Sequence, residues 1–163
     1  GGGGKALGFA DRDFGAVYAH DIDPRRMRDL PVRAGREGVE ITMLATQKLR
    51  DYAPFDVVFC DAPCSGSGTW RRTPDAKWRL TAARLDGLIQ LQDEVLQAAA
   101  DFVAPGGTLV YATCSVLAAE TSDPVNRFLS QNIQWQRTHH DQRLPDADGD
   151  GFSFTFLNQR NNL

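Results

Sequence analysis

Short runs of β-branched and aromatic residues, separated by longer stretches of helical periodicity, limit what this chain can fold into. Residues 16–19, 39–43, 55–60 and 108–113 read as strands. The segments between them are too long for hairpins, which is the rhythm of an α/β fold: a mostly parallel sheet with helices on both faces. The clearest helix spans about residues 81–103, where Leu85, Leu88, Ile89, Val95, Leu96, Ala99, Phe102 and Val103 form one apolar face. Pro105, Gly106 and Gly107 stop it. Asp23 can cap a second helix with Pro24 in its first turn and Pro31 to kink or shorten it, and Asp123 with Pro124 opens a third. After a polar loop around residues 144–151, the apolar stretch 152–157 reads as a closing antiparallel strand.

A chain of 163 residues, 42% of them hydrophobic, can bury one core, so residues 1–163 read as a single domain. Lys and Arg number 18 against 21 Asp and Glu, which supplies no overall attraction to nucleic acid; a polyanionic partner would have to be held by a local patch. Three cysteines at irregular spacing do not form a secreted disulfide framework and fit a reducing, cytoplasmic setting. No apolar run is long enough to span a bilayer, and no membrane partner is expected.

The chain opens on Gly1, Gly2, Gly3, Gly4 and Lys5, a turn that lets backbone approach a ligand closely and feeds a helical pattern running toward Phe14. Ala6 stands where a P-loop needs Ser or Thr, and the dinucleotide fingerprint spacing is not met, so ATP and NAD sites lose ground. Such a turn normally follows a first strand in the middle of the sheet; that strand is missing, and an N-terminally truncated chain is expected. Asp21, at the end of the next strand, sits where an acidic residue accepts hydrogen bonds from ribose hydroxyls, although helix capping beside Asp23 would serve it equally well.

The segment from Asp61 through Ala62, Pro63, Cys64, Ser65, Gly66, Ser67, Gly68 and Thr69 leaves the carboxyl edge of the sheet, where open α/β folds bind ligands. Cys114, in Thr113-Cys114-Ser115, leaves the same edge from the strand 108–113. Cys60 reads as a buried thiol within its strand; packing does not ask for the other two. Zinc is disfavoured, because three cysteines without paired spacing and His139-His140 in a polar loop make a poor tetrahedral set. Asp146, Asp148, Asp150 and Gly151 copy the front of a calcium loop, but Leu157 stands where the bidentate glutamate belongs. Beside the first thiol, Arg71, Arg72, Lys77, Arg79 and Arg84 face Asp75 alone, with Trp70 and Trp78 interleaved: an RNA-facing patch, or a solvated loop with two packing tryptophans.

These residues, from Gly1 to about Leu157, resemble the Sun (Fmu, RsmB-like) family of RNA 5-methylcytosine methyltransferases. The resemblance rests on the Gly-Gly-Lys turn ending at Lys5, the segment 21–26, Asp61-Ala-Pro-Cys64-Ser-Gly, Arg71-Arg72-x-Pro74-Asp75-x-Lys77-Trp78, Tyr111-Ala-Thr-Cys114-Ser115 and Asp150-Gly151-Phe152. It implies a Rossmann-like class I S-adenosylmethionine-dependent methyltransferase fold and methyl transfer to carbon 5 of cytosine in RNA, with ribosomal RNA preferred over transfer RNA. By matched position, Cys114 would be the nucleophile, Cys64 would assist release, and Asp61 would bind the ring near nitrogen 3. Gly1 to Lys5, Asp21, Arg26, Asp61 and Pro63 would hold S-adenosylmethionine, and Arg71, Arg72, Lys77 and Arg79 would face RNA. An upstream RNA-binding domain, absent from this chain, would choose the substrate.

The family usually has an aspartate near the adenine where this chain has Ala45 and Thr46. That departure, with the lost strand, favours a second reading: a catalytically impaired RNA- or ribosome-binding module. The intact pair Cys64 and Cys114 opposes it.

Overall fold

The computed structural model describes residues 3–12 and 15–160. They fall into two compact units, Gly1–Tyr52 and Ala53–Leu163.

In the first unit Gly3 adopts a left-handed turn (φ 77°) ahead of helix α1, Gly4–Ala10. A Cβ on Gly3 would lie 2.4 Å from the Leu30 side chain, so only glycine lets the turn pack this closely. Phe14, toward which this helix was expected to run, lies outside the described residues. Strand β1 is Tyr18–Ala19, and Asp23 caps a 3₁₀ turn, Pro24–Met27, by accepting a hydrogen bond from the Arg25 amide at 3.1 Å. Helix α2, Leu30–Glu37, starts afresh with Pro31 in its first turn, where a missing amide costs nothing. The single helix expected after Asp23 is therefore two pieces. Strand β2, Thr42–Met43, pairs parallel with β1, and one helical turn, α3, covers Leu49–Tyr52. Both strands are shorter than their apolar runs; β2 buries neither residue, so further pairing would gain little. The core here is Leu7, Ala19, Met27, Leu30 and Ala34.

The second unit holds β3 (Phe55–Asp61), α4 (Asp75–Arg79), α5 (Ala82–Ala100), β4 (Val103–Thr113), α6 (Ser122–Gln131), β5 (Trp135–Arg143) and β6 (Phe152–Gln159). The sheet order is β3-β4-β6-β5; β3 and β4 run parallel, and β6 is antiparallel to both neighbours, as expected for the apolar stretch 152–157. The Thr81 hydroxyl caps α5 by accepting from the Arg84 amide at 3.3 Å. This helix ends at Ala100, short of residue 103, because Val103 already belongs to β4. Pro105, Gly106 and Gly107 form a bulge inside that strand: pairing jumps from Phe55↔Val103 to Val57↔Thr108, and a Cβ on Gly107 would meet the Asp56 carbonyl at 2.7 Å.

Leu96, Leu109, Tyr111, Val125, Phe128 and Leu157 anchor the core of this unit. Along β6, Ser153, Thr155 and Leu157 are buried, while Phe152, Phe154 and Phe156 stack on the opposite face with His139. His139 and His140 lie in strand β5, not in a loop as their polar surroundings suggest; the His140 ring bonds the Thr155 hydroxyl at 2.8 Å. Among the described residues, no helix is long and apolar enough to cross a membrane.

Candidate active site

Adjacent parallel strands end together, so the loops leaving them meet. Asp61, at the end of β3, pairs with Ala112, and the Ala62 amide extends the ladder by donating to the Ala112 carbonyl at 2.9 Å. The chain then turns through Pro63 and Cys64 as β4 delivers Cys114, and the two sulfurs stand 3.3 Å apart. Neither cysteine is in a disulfide, and both are half-buried. A disulfide would need about 2.05 Å, so this is a thiol pair in hydrogen-bonding contact.

Gly66, in a left-handed turn (φ 70°), reverses the first loop, and the Thr69 hydroxyl closes the turn by donating to the Gly66 carbonyl at 2.8 Å. The Gly68 amide donates to the Cys114 carbonyl at 3.0 Å, and the Gly151 amide donates to the Gly68 carbonyl at 2.8 Å. Three segments distant in sequence are thereby laced together. Behind the thiols lies a polar network that the motifs do not announce. Ser67 and Ser115 share a hydrogen bond of 2.8 Å, and the buried Glu120 carboxylate accepts from Ser65, Ser115 and Gln92.

Hydrogen bonding to Cys114, and then burial, push the Cys64 thiol well above the ordinary thiol range. Burial and the neighbouring sulfur thus keep Cys64 as S–H, and either sulfur can donate in the contact between them. Cys60 is an inert core thiol, pushed up to about 12 by burial and by the neighbouring Asp61 charge. Burial also raises the Tyr111 phenol, whose hydroxyl donates to the Glu120 carbonyl at 3.0 Å.

Asp61 is exposed at its strand end, next to the half-buried Pro63. Of the other residues expected to hold a cofactor, Gly1 and Gly2 lie outside the described residues. Gly3, Gly4 and Lys5 form the start of α1 in the first unit, and Arg26 is exposed in the turn Pro24–Met27. Asp21, half-buried just beyond β1, accepts from the Asp23 amide at 2.9 Å. Its capping and ligand-facing readings are therefore compatible, since a carboxylate has further lone pairs. An open groove of about 430 Å³ at the end of β2 is lined by Ala45, Lys48, Asp51 and Tyr52, among others.

The basic patch is more engaged than its composition suggests. Arg71 donates to the Ala147 carbonyl at 3.0 Å, Arg72 pairs with Asp150 at 2.7 Å, and Arg79 pairs with Asp75 at 2.5 Å. Lys77 lies 5.6 Å from the centre of the Trp78 ring, which is 82% exposed. The calcium-loop look-alike is a capped turn, in which Asp146 accepts from the amides of Asp148 and Gly149 and pairs with Arg143. Among the described residues, no group of three or more His, Cys, Asp or Glu could hold a metal ion.

A family model described as 16S rRNA methyltransferase RsmB/F matches residues 1–161. The chain is 36% identical over 154 residues to the ribosomal RNA small subunit methyltransferase B of Proteus mirabilis, with 88% of this chain and 36% of that one covered. It is 44% identical over 159 residues to the protein of that name from Cronobacter sakazakii, covering 87% and 36%. The chain thus spans about a third of the length of these curated relatives. Among solved structures, NSun6 from Pyrococcus horikoshii with SFG superposes with a TM-score of 0.78 at 21% identity, covering 98% of this chain and 46% of that one. A methyltransferase homologue from the same organism gives 0.73 at 23%, covering 91% and 55%. The fold is that of Rossmann-like methyltransferases.

Proposed function

The chain belongs to the RsmB/F family of 16S rRNA methyltransferases, and from that premise we propose that it methylates carbon 5 of a cytosine in RNA, ribosomal RNA before transfer RNA. S-adenosylmethionine is the donor and a covalent adduct on Cys114 the intermediate. The observation that carries this reading is the thiol pair, 3.3 Å apart, at the ends of two adjacent parallel strands.

Carbon 5 of cytosine is a poor nucleophile until a thiolate adds to carbon 6 and converts the ring into an enamine. Cys114 forms that bond. The displaced electron pair moves toward nitrogen 3, where Asp61 hydrogen-bonds the ring and a proton is taken up, from the Cys64 thiol when it is present and from solvent when it is not. S-adenosylmethionine supplies, when bound, an electrophilic methyl group. Once carbon 5 is methylated, Cys64, now a thiolate, accepts the proton from that carbon, and the carbon–sulfur bond breaks to return the electron pair to Cys114. The proton held at nitrogen 3 is released, so over the cycle one proton leaves for each methyl group gained.

The residues expected to hold the donor fit it chemically. Asp21 offers oriented acceptor oxygens suited to ribose hydroxyls, and the left-handed turn at Gly3 keeps side-chain bulk away from the glycine-rich backbone. Lys5 and Arg26 complete the set in the first unit. Arg71, Arg72, Lys77 and Arg79 face RNA, with Trp78 as a stacking platform.

The test is methyl transfer to RNA by single-cysteine variants. Cys114→Ser abolishes turnover in a protein that remains folded; Cys64→Ala permits attack but slows release, so a covalent protein–RNA complex accumulates. Full activity in Cys114→Ser would overturn the mechanism. A folded parent that binds RNA without transferring methyl would favour the impaired binding module, the reading to which Ala45 points.

A further inference from the structure

We propose that Glu120 is a positioning residue whose carboxylate sets the spacing of Cys64 and Cys114. The claim rests on the thiol-pair reading above, which gives that spacing its catalytic meaning. Glu120 ends the short turn Ala118–Glu120 before α6 and is fully buried. One carboxylate oxygen accepts from the Ser65 amide at 2.8 Å and the Gln92 side-chain amide at 3.1 Å. The other accepts from the Ser65 hydroxyl at 2.5 Å and the Ser115 hydroxyl at 2.6 Å. Ser65 follows Cys64 directly and Ser115 follows Cys114 directly, so one side chain grips both thiol loops one residue past each sulfur.

The directions of these bonds leave the network little freedom. The Val116 amide donates to Ser67 Oγ at 2.9 Å and the Leu117 amide donates to Ser115 Oγ at 3.1 Å. The Ser115 hydroxyl gives its one proton to Glu120, so in its contact with Ser67 it accepts and the Ser67 hydroxyl donates. Gln92, also fully buried, spans Glu120 and the Pro63 carbonyl at 2.8 Å, bracing the residue before Cys64 as well. If filling space were the only need at position 120, an apolar side chain would meet it more cheaply, since burying a carboxylate costs several kcal/mol unless donors surround it. Here the donors come from both sides of the site.

The decisive variant is Glu120→Gln, which keeps shape but exchanges one acceptor oxygen for a donor. Misplacement of a reacting group by ~1 Å costs about 100-fold, so kcat falls by that order while KM for RNA stays within about threefold. Near-UV circular dichroism keeps its parental form. A second readout bypasses methylation: in a redox buffer of reduced and oxidised glutathione, the two thiols form a disulfide as one oxidised glutathione becomes two reduced molecules. Loss of the clamp shifts that equilibrium toward the dithiol by about tenfold, equivalent to about 30 mV. Should Glu120→Gln not fold, Ser115→Ala and Ser65→Ala, each cutting one arm, decide the matter by the same readouts. Parental kcat and parental glutathione equilibrium in the folded variants would overturn the proposal. Failure of the cysteine mechanism itself would appear elsewhere, as activity in Cys114→Ser.

Discussion

Replacing Gly68 by alanine puts a methyl group where three segments of backbone already touch. The added carbon would lie 2.4 Å from the Gly151 carbonyl oxygen, 2.7 Å from its carbon and 2.8 Å from its Cα, whereas ordinary contact begins near 3.4 Å. About 1 Å of movement is required, and the obstacle is main chain rather than a side chain that could rotate aside. Gly151 has little room to retreat, since its own Cβ position is 2.7 Å from Val116 Cγ1 and 2.9 Å from Pro145 Cδ. Gly68 is meanwhile tied to the Cys114 carbonyl and to the Gly151 amide. Overpacking of this kind costs roughly 1–3 kcal/mol, and loss of the two hydrogen bonds adds roughly 1 kcal/mol each. The sum is about 3–5 kcal/mol. Because the displaced loop carries the bond to Cys114, activity falls by about 100-fold under conditions where the protein is still folded. Urea unfolding followed by far-UV circular dichroism measures the first quantity, and radiolabelled methyl transfer the second. A Gly68→Ala protein within about 0.5 kcal/mol of the parent would show that the loop has room to spare and that the close approach to Gly151 is not a constraint.

Gly87 makes the opposite case: it is exposed in the middle of α5 and a Cβ there meets nothing within 4 Å, so Gly87→Ala gains about 0.5–1 kcal/mol in urea unfolding. A loss of stability would refute that accounting. Cys60, Cys64 and Tyr111 all have raised pKa values in the fold, so folding favours their protonated forms. Their contribution is intact below the unfolded thiol value of 9.0 and declines as pH rises toward the Cys60 value of about 12. Stability measured by equilibrium unfolding therefore falls with alkalinity, and falls less steeply in Cys60→Ala than in the parent over that range; a steeper decline in the variant would count against the assignment.

The thiol pair is legible in the sequence because it depends on something that apolar runs encode directly, namely where strands end. Residues 55–60 and 108–113 read as strands and are strands, and parallel neighbours bring their carboxyl ends together whatever the details of register. The bracing behind the thiols is not legible in the same way. Ser65, Ser67, Ser115 and Glu120 are ordinary loop residues until contacts across the fold define them. One signal was available: Leu85, Ile89, Leu96 and Ala99 make a stripe at helical spacing, and Gln92 stands within it. An amide on an apolar stripe has to find a buried partner. Strand β5 was hidden because every residue after Trp135 is exposed, so no alternation marks it. Pro105, Gly106 and Gly107 break a helix and bulge a strand for the same steric reasons, so composition alone cannot separate those outcomes.

The last strand of this sheet lies inside it, between β4 and β5. On the ribosome, β3 and β4 can therefore pair while the far side of β4 stays bare, with Val110 and Ala112 waiting for Phe156 and Phe154. At roughly 5–20 residues per second, a few seconds pass before β6 is synthesised. Until then the nascent chain carries an open, apolar sheet edge, and its two thiol loops lack Gly151. A translational pause between Thr113 and Phe152 would prolong that interval, making the growing chain, rather than the finished protein, the form most exposed to aggregation and proteolysis.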